Sequence, residues 1–296
     1  MLNVLGGYQK FNNLKMSNPH LKTLLAVGGW NEGVETFSNM ASSFDARQMF
    51  IQSCLQFLRQ HGFDGIDLDW EYPSQRGGHP QDKENFTRLV QEMSAALHQF
   101  GYLLTAAVAA GKNSMALSYE VSQISRHLDF INLMTYDLHS CWDGTGRVGH
   151  NAPLYSNDEQ NVNDCVQAWI NAGADPRELV LGVAAYGRSY ILTDPSHHRI
   201  GAPSSGIGQT ETVDFDKIMG LLNSGWKREW DAQQQVPYIH AGNQWIGYDD
   251  SQSIKLKVDF AKRYGLGGVM MWSIDSDSPR GNPSFPLLRS MYSALY

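Results

Sequence analysis

The segment from Phe63 to Pro73, FDGIDLDWEYP, constrains the fold more than any other part of this sequence. Apolar and acidic residues alternate along it, and this period of two is typical of a β-strand, where residues two apart share a face. One face of the predicted strand is apolar, and the other carries Asp67, Asp69 and Glu71. A row of ionised carboxylates is expensive to bury. The pattern therefore indicates catalysis or metal binding.

Three interpretations of the acidic row are open. It could be the solvated face of an edge strand, although Phe63, Gly65 and Trp70 suit a packed interior and Pro73 ends the strand. It could bind a hard cation such as Mg²⁺ or Ca²⁺, which prefers clustered carboxylates. It could also perform acid/base chemistry, because adjacent carboxylates push their pKa values apart and one of them then holds a proton near neutral pH.

Composition limits the classes of function. The chain has 296 residues, of which 42% are hydrophobic, enough for one large α/β domain or two ordinary ones. Its formal net charge of −7 argues against a nucleic-acid partner, which normally requires a basic patch. The longest small or apolar run, Leu103–Gly111, is too short to cross a membrane, and Met1–Gly7 does not resemble a secretory signal.

The order of the predicted elements indicates an α/β fold. Short apolar strands alternate with amphipathic helices, which predicts a parallel sheet with helices outside it. Residues with functional character stand at the predicted carboxyl ends of strands, the face that carries the active site in a (β/α)₈ TIM-type barrel. These residues are Trp30, Glu71, Tyr136, Tyr186 and Trp272. No G-x-G-x-x-G stands between a strand and a helix, so a Rossmann fold is set aside.

The repeating pattern is interrupted between Tyr190 and Asp250, where turn residues and short predicted strands replace it. We interpret this part as a small α+β insertion between the last two strands of the barrel. The predicted barrel domain therefore comprises residues 1–188 and 250–296, and the predicted insertion domain comprises residues 189–249.

The sequence resembles the glycoside hydrolase family 18 chitinases at these residues. The family pattern Asp-x-x-Asp-x-Asp-x-Glu is complete here as Asp64, Asp67, Asp69 and Glu71. Further matches follow the family's order over nearly the whole chain: LKTLLAVGGW (21–30), LMTYD (133–137), YGRSY (186–190), WIGYDD (245–250) and GGVMMWSIDSD (267–277).

The resemblance implies a retaining mechanism in which the substrate assists its own hydrolysis. Glu71 would be the general acid and base, and Asp69 would orient the 2-acetamido group and stabilise the charged intermediate. Asp67 would hold Asp69 in its protonation state, and Asp64 would support the strand. Tyr136 would donate a hydrogen bond to the acetamido oxygen.

The resemblance also implies a set of sugar-binding residues. Met134 and Asp137 would line the acetamido subsite, and Trp272 would form the floor under the distorted sugar. Tyr186 and Arg188 would contact the glycon side, and two aromatics would serve the leaving-group side: Trp30 and Trp142. The expected partner is chitin or a chito-oligosaccharide, with no metal, no cofactor, no nucleic acid and no membrane. A monomeric extracellular protein is expected.

The match to the family is incomplete at two places. The first recognisable family strand is the third, so we expect the barrel to lack its first two strands and to have open edges. The insertion is expected to be short, because Gly208–Gly225 lacks the aromatic-rich, Glu-containing stretch usual in the family.

Two other functions compete with hydrolysis of β-1,4-N-acetylglucosamine linkages. One is a non-catalytic chitin-binding lectin, which could result from the shortened barrel although Glu71 is present. The other is a carboxylate metal site on a similar barrel, although no His joins the acids at ligand spacing.

Overall fold

The computed structural model describes residues 6–296, which form two compact units. Unit one contains the described residues up to Ala109, together with Asn113–Asn132 and Ala172–Glu178. Unit two contains Ala110–Lys112, Leu133–Asn171 and Leu179–Tyr296.

Unit one is a layer of parallel strands with helices between them in the sequence. Its elements are α1 (Gly7–Asn12), α2 (Leu14–Ser17), β1 (Leu24–Gly28), α3 (Glu35–Ser42), α4 (Phe44–His61), β2 (Gly65–Asp69), α5 (Asp82–His98), β3 (Leu103–Ala109), most of α6 (Lys112–Ser118), α7 (Val121–Ile124) and the first residues of β4 (Phe130–Met134).

The central strand of unit one is the predicted acidic strand, β2, which pairs in parallel with β1 and with β3. Ile66 and Leu68 are fully buried, whereas Asp67 and Asp69, which alternate with them, are half-buried, as the alternation predicts. The turn before β2 is fixed by Gly62, whose left-handed backbone ends α4 and donates a hydrogen bond to the Leu58 carbonyl. These features place the acidic face of β2 in a defined register with its neighbours.

Unit two contains the end of β4 and all later strands. Its elements are α8 (Val162–Asn171), β5 (Leu179–Ala184), β6 (Tyr186–Leu192), β7 (Ser204–Gly206), β8 (Thr212–Asp214), α9 (Phe215–Asn223), β9 (Lys227–Asp231), β10 (Val236–Ala241), β11 (Gln244–Gly247), α10 (Ser251–Arg263), β12 (Gly268–Trp272) and α11 (Pro286–Leu295).

Unit two combines two kinds of sheet. β5 pairs in parallel with β12, and β4 lies next to β5 on its other side. An antiparallel sheet has the order β7-β6-β11-β10-β9, with β8 also paired to β6. Its interior packs around the buried aromatic side chains of Tyr190, Tyr238 and Trp245. Most of this antiparallel sheet lies within residues 189–249, whose assignment as a separate insertion domain stays a prediction.

The alternation of strands and helices confirms the predicted α/β class, with one difference in detail. Tyr136, placed at the carboxyl end of a predicted strand, lies two residues beyond β4, which ends at Met134, and Asp137 follows it with a left-handed φ of 57°. No helix among residues 6–296 is both long enough and apolar enough to span a lipid bilayer.

Candidate functional site

The acids of the β2 region differ in how well their charges are compensated, beginning with Asp64. Its Oδ2 accepts hydrogen bonds of 2.8 Å from Lys15 Nζ and from the Thr23 backbone N–H. Burial would raise the pKa of Asp64, but these donors and the charge of Lys15 outweigh it and lower the pKa. Asp64 is therefore an ionised anchor between the start of β2 and the segment before β1.

Asp67 is held by neutral donors, and no cation pairs with it among residues 6–296. Its Oδ1 accepts a hydrogen bond of 2.5 Å from Thr105 Oγ1 and one of 3.0 Å from Asn132 Nδ2. Thr105 is its register partner on β3, and Asn132 lies on β4. Burial raises the pKa of Asp67, and the two hydrogen bonds oppose this shift without cancelling it. The carboxyl is held in one orientation while its proton affinity is increased.

Asp69 is the least compensated acid of the strand. Its Oδ1 is buried and has no hydrogen-bond partner among the described residues. Burial, and then the negative charges of Glu71 and Asp67, raise its pKa to about 7. A carboxyl in this state exchanges its proton near neutrality, as acid/base chemistry requires.

Two consecutive glycines at the end of β1 lie next to Asp69. A Cβ on Gly28 would clash with the Asp69 carbonyl oxygen at 2.2 Å, whereas a Cβ on Gly29 would make an ordinary contact of 3.5 Å with Asp69 Oδ2. Both glycines have positive φ angles, and the Gly29 N–H donates to the Asp69 carbonyl at 2.7 Å. The Gly-Gly pair therefore allows the backbone to approach the end of β2 closely.

Glu71 and Trp30 follow the ends of β2 and β1. The Glu71 side chain is half-buried, whereas Trp30 is 57% exposed, which is unusual for so large an apolar side chain. Arg76 connects the two residues, since its guanidinium donates to the carbonyl oxygens of both. Unit one thus brings Trp30 and Glu71 together at the carboxyl ends of β1 and β2, whereas Asp64 lies at the opposite end of β2.

A second group of predicted site residues lies in unit two, around Tyr136. The rings of Tyr136 and Tyr186 are edge-to-face at 6.2 Å between centroids, and Met134 packs against the same cluster. Gly182 is necessary beside them, because a Cβ there would lie 3.0 Å from Tyr136 Cε1 and 2.3 Å from the Leu133 carbonyl oxygen. The two tyrosines therefore occupy fixed positions at the ends of β4 and β5.

Asp137 is the polar centre of this second group. Its Oδ1 accepts hydrogen bonds from Tyr186 Oη at 2.8 Å and from Arg188 Nε at 2.7 Å. The Asp137 N–H donates to Asn151 Oδ1 at 2.9 Å, and Arg188 also pairs with Glu211. Arg188 is thereby held between two carboxylates, those of Asp137 and Glu211.

The two remaining predicted residues are exposed tryptophans. Trp272 ends β12, in register with Ala184 of β5, and is 56% exposed. Trp142 lies in the segment after β4 and is 70% exposed.

Sequence reasoning missed several residues that hold the predicted ones in place. Thr105 and Asn132 are polar residues within otherwise apolar strands, LLTAAVA and FINLM, which was a usable signal for a buried polar partner. Glu211 and Arg76 gave no such signal, because charged residues in loops are usually solvated. Among residues 6–296, no group of three or more His, Cys, Asp or Glu side chains is arranged to hold a metal ion.

An acidic strand with a carboxyl of raised pKa, and exposed tryptophans at strand ends, are features expected of the glycoside hydrolase class. Residues 2–277 match the family described as Glycosyl hydrolases family 18. The chain belongs to this family. The resemblance noted from the sequence is therefore confirmed.

Individual relatives agree with the family. The chain is 41% identical to mouse chitotriosidase-1 over 309 aligned residues, which cover 97% of this chain and 66% of the mouse protein. The structure of the Ostrinia furnacalis group IV chitinase is similar with a TM-score of 0.94, 37% identity and coverage of 99% and 85% of the two chains. This similarity confirms the barrel-type α/β fold.

One similar structure belongs to a protein described as a pseudo-chitinase with retained chitooligosaccharide binding, human YKL-39. Its TM-score is 0.91 at 36% identity, over 97% of this chain and 84% of that chain. The present chain spans between 46% and 66% of the length of the curated relatives that it matches. Membership of the family therefore leaves both hydrolysis and binding alone as functions to be tested.

Proposed function

We propose that this chain hydrolyses β-1,4 linkages between N-acetylglucosamine units with retention of configuration. The observation that carries the proposal is the carboxyl of Asp69, which has a buried unpaired oxygen and a pKa raised to about 7. It stands on the same face as Glu71, two residues further along the strand. A purely structural aspartate would have a cation or several donors, as Asp64 has in the same unit.

In the first step, Glu71 transfers a proton to the glycosidic oxygen while the bond from that oxygen to the anomeric carbon breaks. The acetamido oxygen of the same sugar forms a bond to the anomeric carbon from the opposite face, which gives an oxazolinium ion. The positive charge of this ion is stabilised by Asp69, whose proton affinity is tuned by the fixed, hydrogen-bonded Asp67. No protein atom becomes bonded to the sugar.

In the second step, the Glu71 carboxylate accepts a proton from a water molecule that attacks the anomeric carbon. The bond to the acetamido oxygen breaks, its electron pair returns to the acetamido group, and the product has the original configuration. Glu71 is then protonated again. A half-buried carboxyl suits this double use, because it must hold a proton in one step and accept one in the next.

The residues of unit two are proposed to bind the sugar chain. Tyr136 would donate a hydrogen bond to the acetamido oxygen, within the subsite formed with Met134 and Asp137. Sugar rings stack through their apolar faces on exposed aromatics. This stacking role is proposed for Trp272 at the floor of the site and, on the leaving-group side, for Trp142 and for Trp30 of unit one. Tyr186 and Arg188 are proposed to contact the sugar on the glycon side.

Further properties follow from the same proposal. The partner would be chitin or a chito-oligosaccharide, and the protein would be an extracellular monomer. Residues 1–188 and 250–296 would form the catalytic barrel, and residues 189–249 the insertion. The mechanism uses no metal, so its rate should be unchanged by EDTA, whereas a carboxylate metal site would lose its activity.

The decisive experiment incubates the purified chain with fully acetylated chitin tetramer and follows the products by mass spectrometry. Glu71→Gln is the paired variant, because it keeps size and polarity but cannot transfer the proton. We expect shorter oligomers from the wild type and a loss of at least about 10³-fold in the variant. Tetramer binding by calorimetry should persist in Glu71→Gln, which shows that the site is still folded. A variant that hydrolyses at nearly the wild-type rate would refute the assignment of the acid.

The alternative function is that of a lectin for chito-oligosaccharides. The similarity to human YKL-39, with its retained oligosaccharide binding, favours this second candidate. The same experiment separates the two, because a lectin binds the tetramer and releases no products. Binding without cleavage by a folded wild-type chain would therefore replace hydrolysis with recognition.

A further inference from the structure

Arg76 makes an unusual set of contacts with Trp30 in unit one. Its guanidinium carbon lies 3.5 Å from the centroid of the Trp30 ring, which is stacking distance for a cation–π pair. Its Nη1 and Nη2 both lie 3.3 Å from the Trp30 carbonyl oxygen. The same side chain therefore holds both the ring and the backbone of one exposed tryptophan.

The third contact of Arg76 is with the residue that carries the proposed acid. Nη1 donates a hydrogen bond of 2.8 Å to the Glu71 carbonyl oxygen. Arg76 thus fixes the Trp30 ring relative to the backbone of Glu71, across the ends of two neighbouring strands. An exposed tryptophan without such support would lose rotamer entropy on binding a ligand, so a ring fixed in advance binds more tightly.

The loop that carries Arg76 is built to present it. Arg76 and Ser74 have positive φ angles of 53° and 63°, which place them in a backbone region that residues other than glycine rarely adopt. Hydrogen bonds within unit one hold this loop: Gln75 Nε2 donates to Ser118 Oγ at 2.8 Å, and Ser118 Oγ donates to the Pro73 carbonyl at 2.6 Å. Because the loop keeps a strained backbone conformation through these hydrogen bonds, we infer that it serves to place the Arg76 side chain against Trp30.

We propose that Arg76 is a positioning residue for the sugar on the leaving-group side, and that it acts through Trp30. The guanidinium covers one face of the indole and orients the exposed remainder as a platform for the apolar face of a sugar ring. This inference rests on the proposed function and adds a determinant of substrate length to it. A substrate whose leaving group has no sugar ring at that position gains less binding free energy from the Trp30 platform than a chito-oligosaccharide does.

The test compares two substrates in steady-state kinetics, the acetylated chitin tetramer and an aryl chitobioside whose leaving group is a phenol. Arg76→Ala should lower kcat/KM for the tetramer about tenfold, mainly by raising KM. The fold-loss in kcat/KM for the tetramer should be about five times the fold-loss for the aryl substrate. Arg76→Lys retains the charge without the planar guanidinium and should lie between Arg76→Ala and the wild type.

A matched control is available in the same unit. Arg59 lies 4.5 Å over the ring of Phe100, so Arg59→Ala also removes a guanidinium–aromatic pair. This variant should keep the wild-type ratio between the two substrates. If Arg59→Ala changed the ratio as much as Arg76→Ala, the effect would be one of general stability, and the inference would be wrong.

A double-mutant cycle tests whether Arg76 acts through Trp30. Trp30→Ala should show the same substrate-length effect, and adding Arg76→Ala to it should change kcat/KM for the tetramer less than about twofold. Full additivity of the two losses would overturn the inference, as would equal losses on both substrates.

The outcomes remain separable if the proposed function fails. Should the wild type cleave neither substrate, tetramer affinity measured by calorimetry replaces the rate, and Arg76→Ala must weaken binding while Arg59→Ala does not. Unchanged affinity in Arg76→Ala, or no tetramer binding by the wild type, would overturn the inference about Arg76 in that case. Cleavage with no substrate-length effect would overturn it while the proposed function stands.

Discussion

Two aspartates, the half-buried Asp69 in unit one and the buried Asp249 in unit two, show how differently one residue type is used. Asp249 accepts hydrogen bonds of 2.6 and 2.7 Å from Lys257 Nζ and one of 2.8 Å from Ser253 Oγ, in a place without solvent access. Asp69 has a buried oxygen without a partner and two acidic neighbours.

The difference separates structural from chemical use of a charge. The Asp249 carboxylate is compensated so completely that it has no capacity left for a reaction, and burial even lowers the pKa of its partner Lys257. The Asp69 carboxyl keeps unused hydrogen-bonding capacity and an affinity for protons near neutrality. A site that must bind a cationic intermediate needs the second kind of environment, which reduces stability.

The largest expected effect concerns the compensated pair. Lys257→Met leaves the Asp249 carboxylate buried without its cation, so we expect the free energy of unfolding to fall by about 3–5 kcal/mol. Urea unfolding of the variant and the wild type at neutral pH measures this. Arg88→Ala is the control, because it removes an exposed ion pair with Glu84, and it should change stability by less than about 1 kcal/mol. If Lys257→Met and Arg88→Ala changed the free energy of unfolding equally, the Asp249–Lys257 pair would be no more important for stability than an exposed ion pair.

The second prediction concerns the rate of hydrolysis. Asp69→Asn should lower kcat/KM for the tetramer by about 10²-fold, because an amide carries no negative charge to stabilise the oxazolinium ion. Since the pKa of Asp69 is raised to about 7, the wild-type profile of kcat/KM against pH should bend near pH 7. This bend should be absent from the profile of Asp69→Asn. A variant that keeps both the rate and the bend would show that Asp69 is not involved in the chemistry.

Part of this contrast could be predicted from the sequence. The alternation in GIDLD predicts a strand with its acids on one face, because the period of two is a local property of the backbone. α10 also carried a signal: Lys257 shares the buried face of the helix with Ile254 and Phe260, and a lysine on such a face requires a buried anion.

The rest depends on contacts that local patterns do not encode. The Lys15 side chain reaches Asp64 across 49 residues of sequence, and Asn132 reaches Asp67 across 65. Arg76 gave no periodic signal, because its position depends on the strained loop conformation of a few residues. The residues that determine which acid is ionised and which holds a proton are therefore defined by long-range contacts that only the folded structure contains.

The sharpest test of the comparison is the pH dependence of stability. The pKa of Asp69 is raised from 3.8 to about 7 in the folded chain. The folded state therefore binds more protons than the unfolded state between these values. The contribution of protonated Asp69 to the free energy of unfolding is therefore fully present below about pH 4, and it is lost as the pH rises to about 7. In Asp69→Asn this loss cannot occur, so the variant should become the more stable protein as the pH increases.

The measurement is the difference in the free energy of unfolding between Asp69→Asn and the wild type, determined by urea at several pH values from 4 to 8. The difference should shift in favour of the variant by at most about 1.4 kcal/mol per pH unit up to about pH 7, and then stay constant. Asp259→Asn, at an exposed position of α10, is the control, because it makes the same chemical change away from the acids of β2; a shift of equal size in this variant would show that the effect is not specific to Asp69. A flat difference for Asp69→Asn would mean that Asp69 is compensated like Asp249, and the contrast between the two aspartates would be lost.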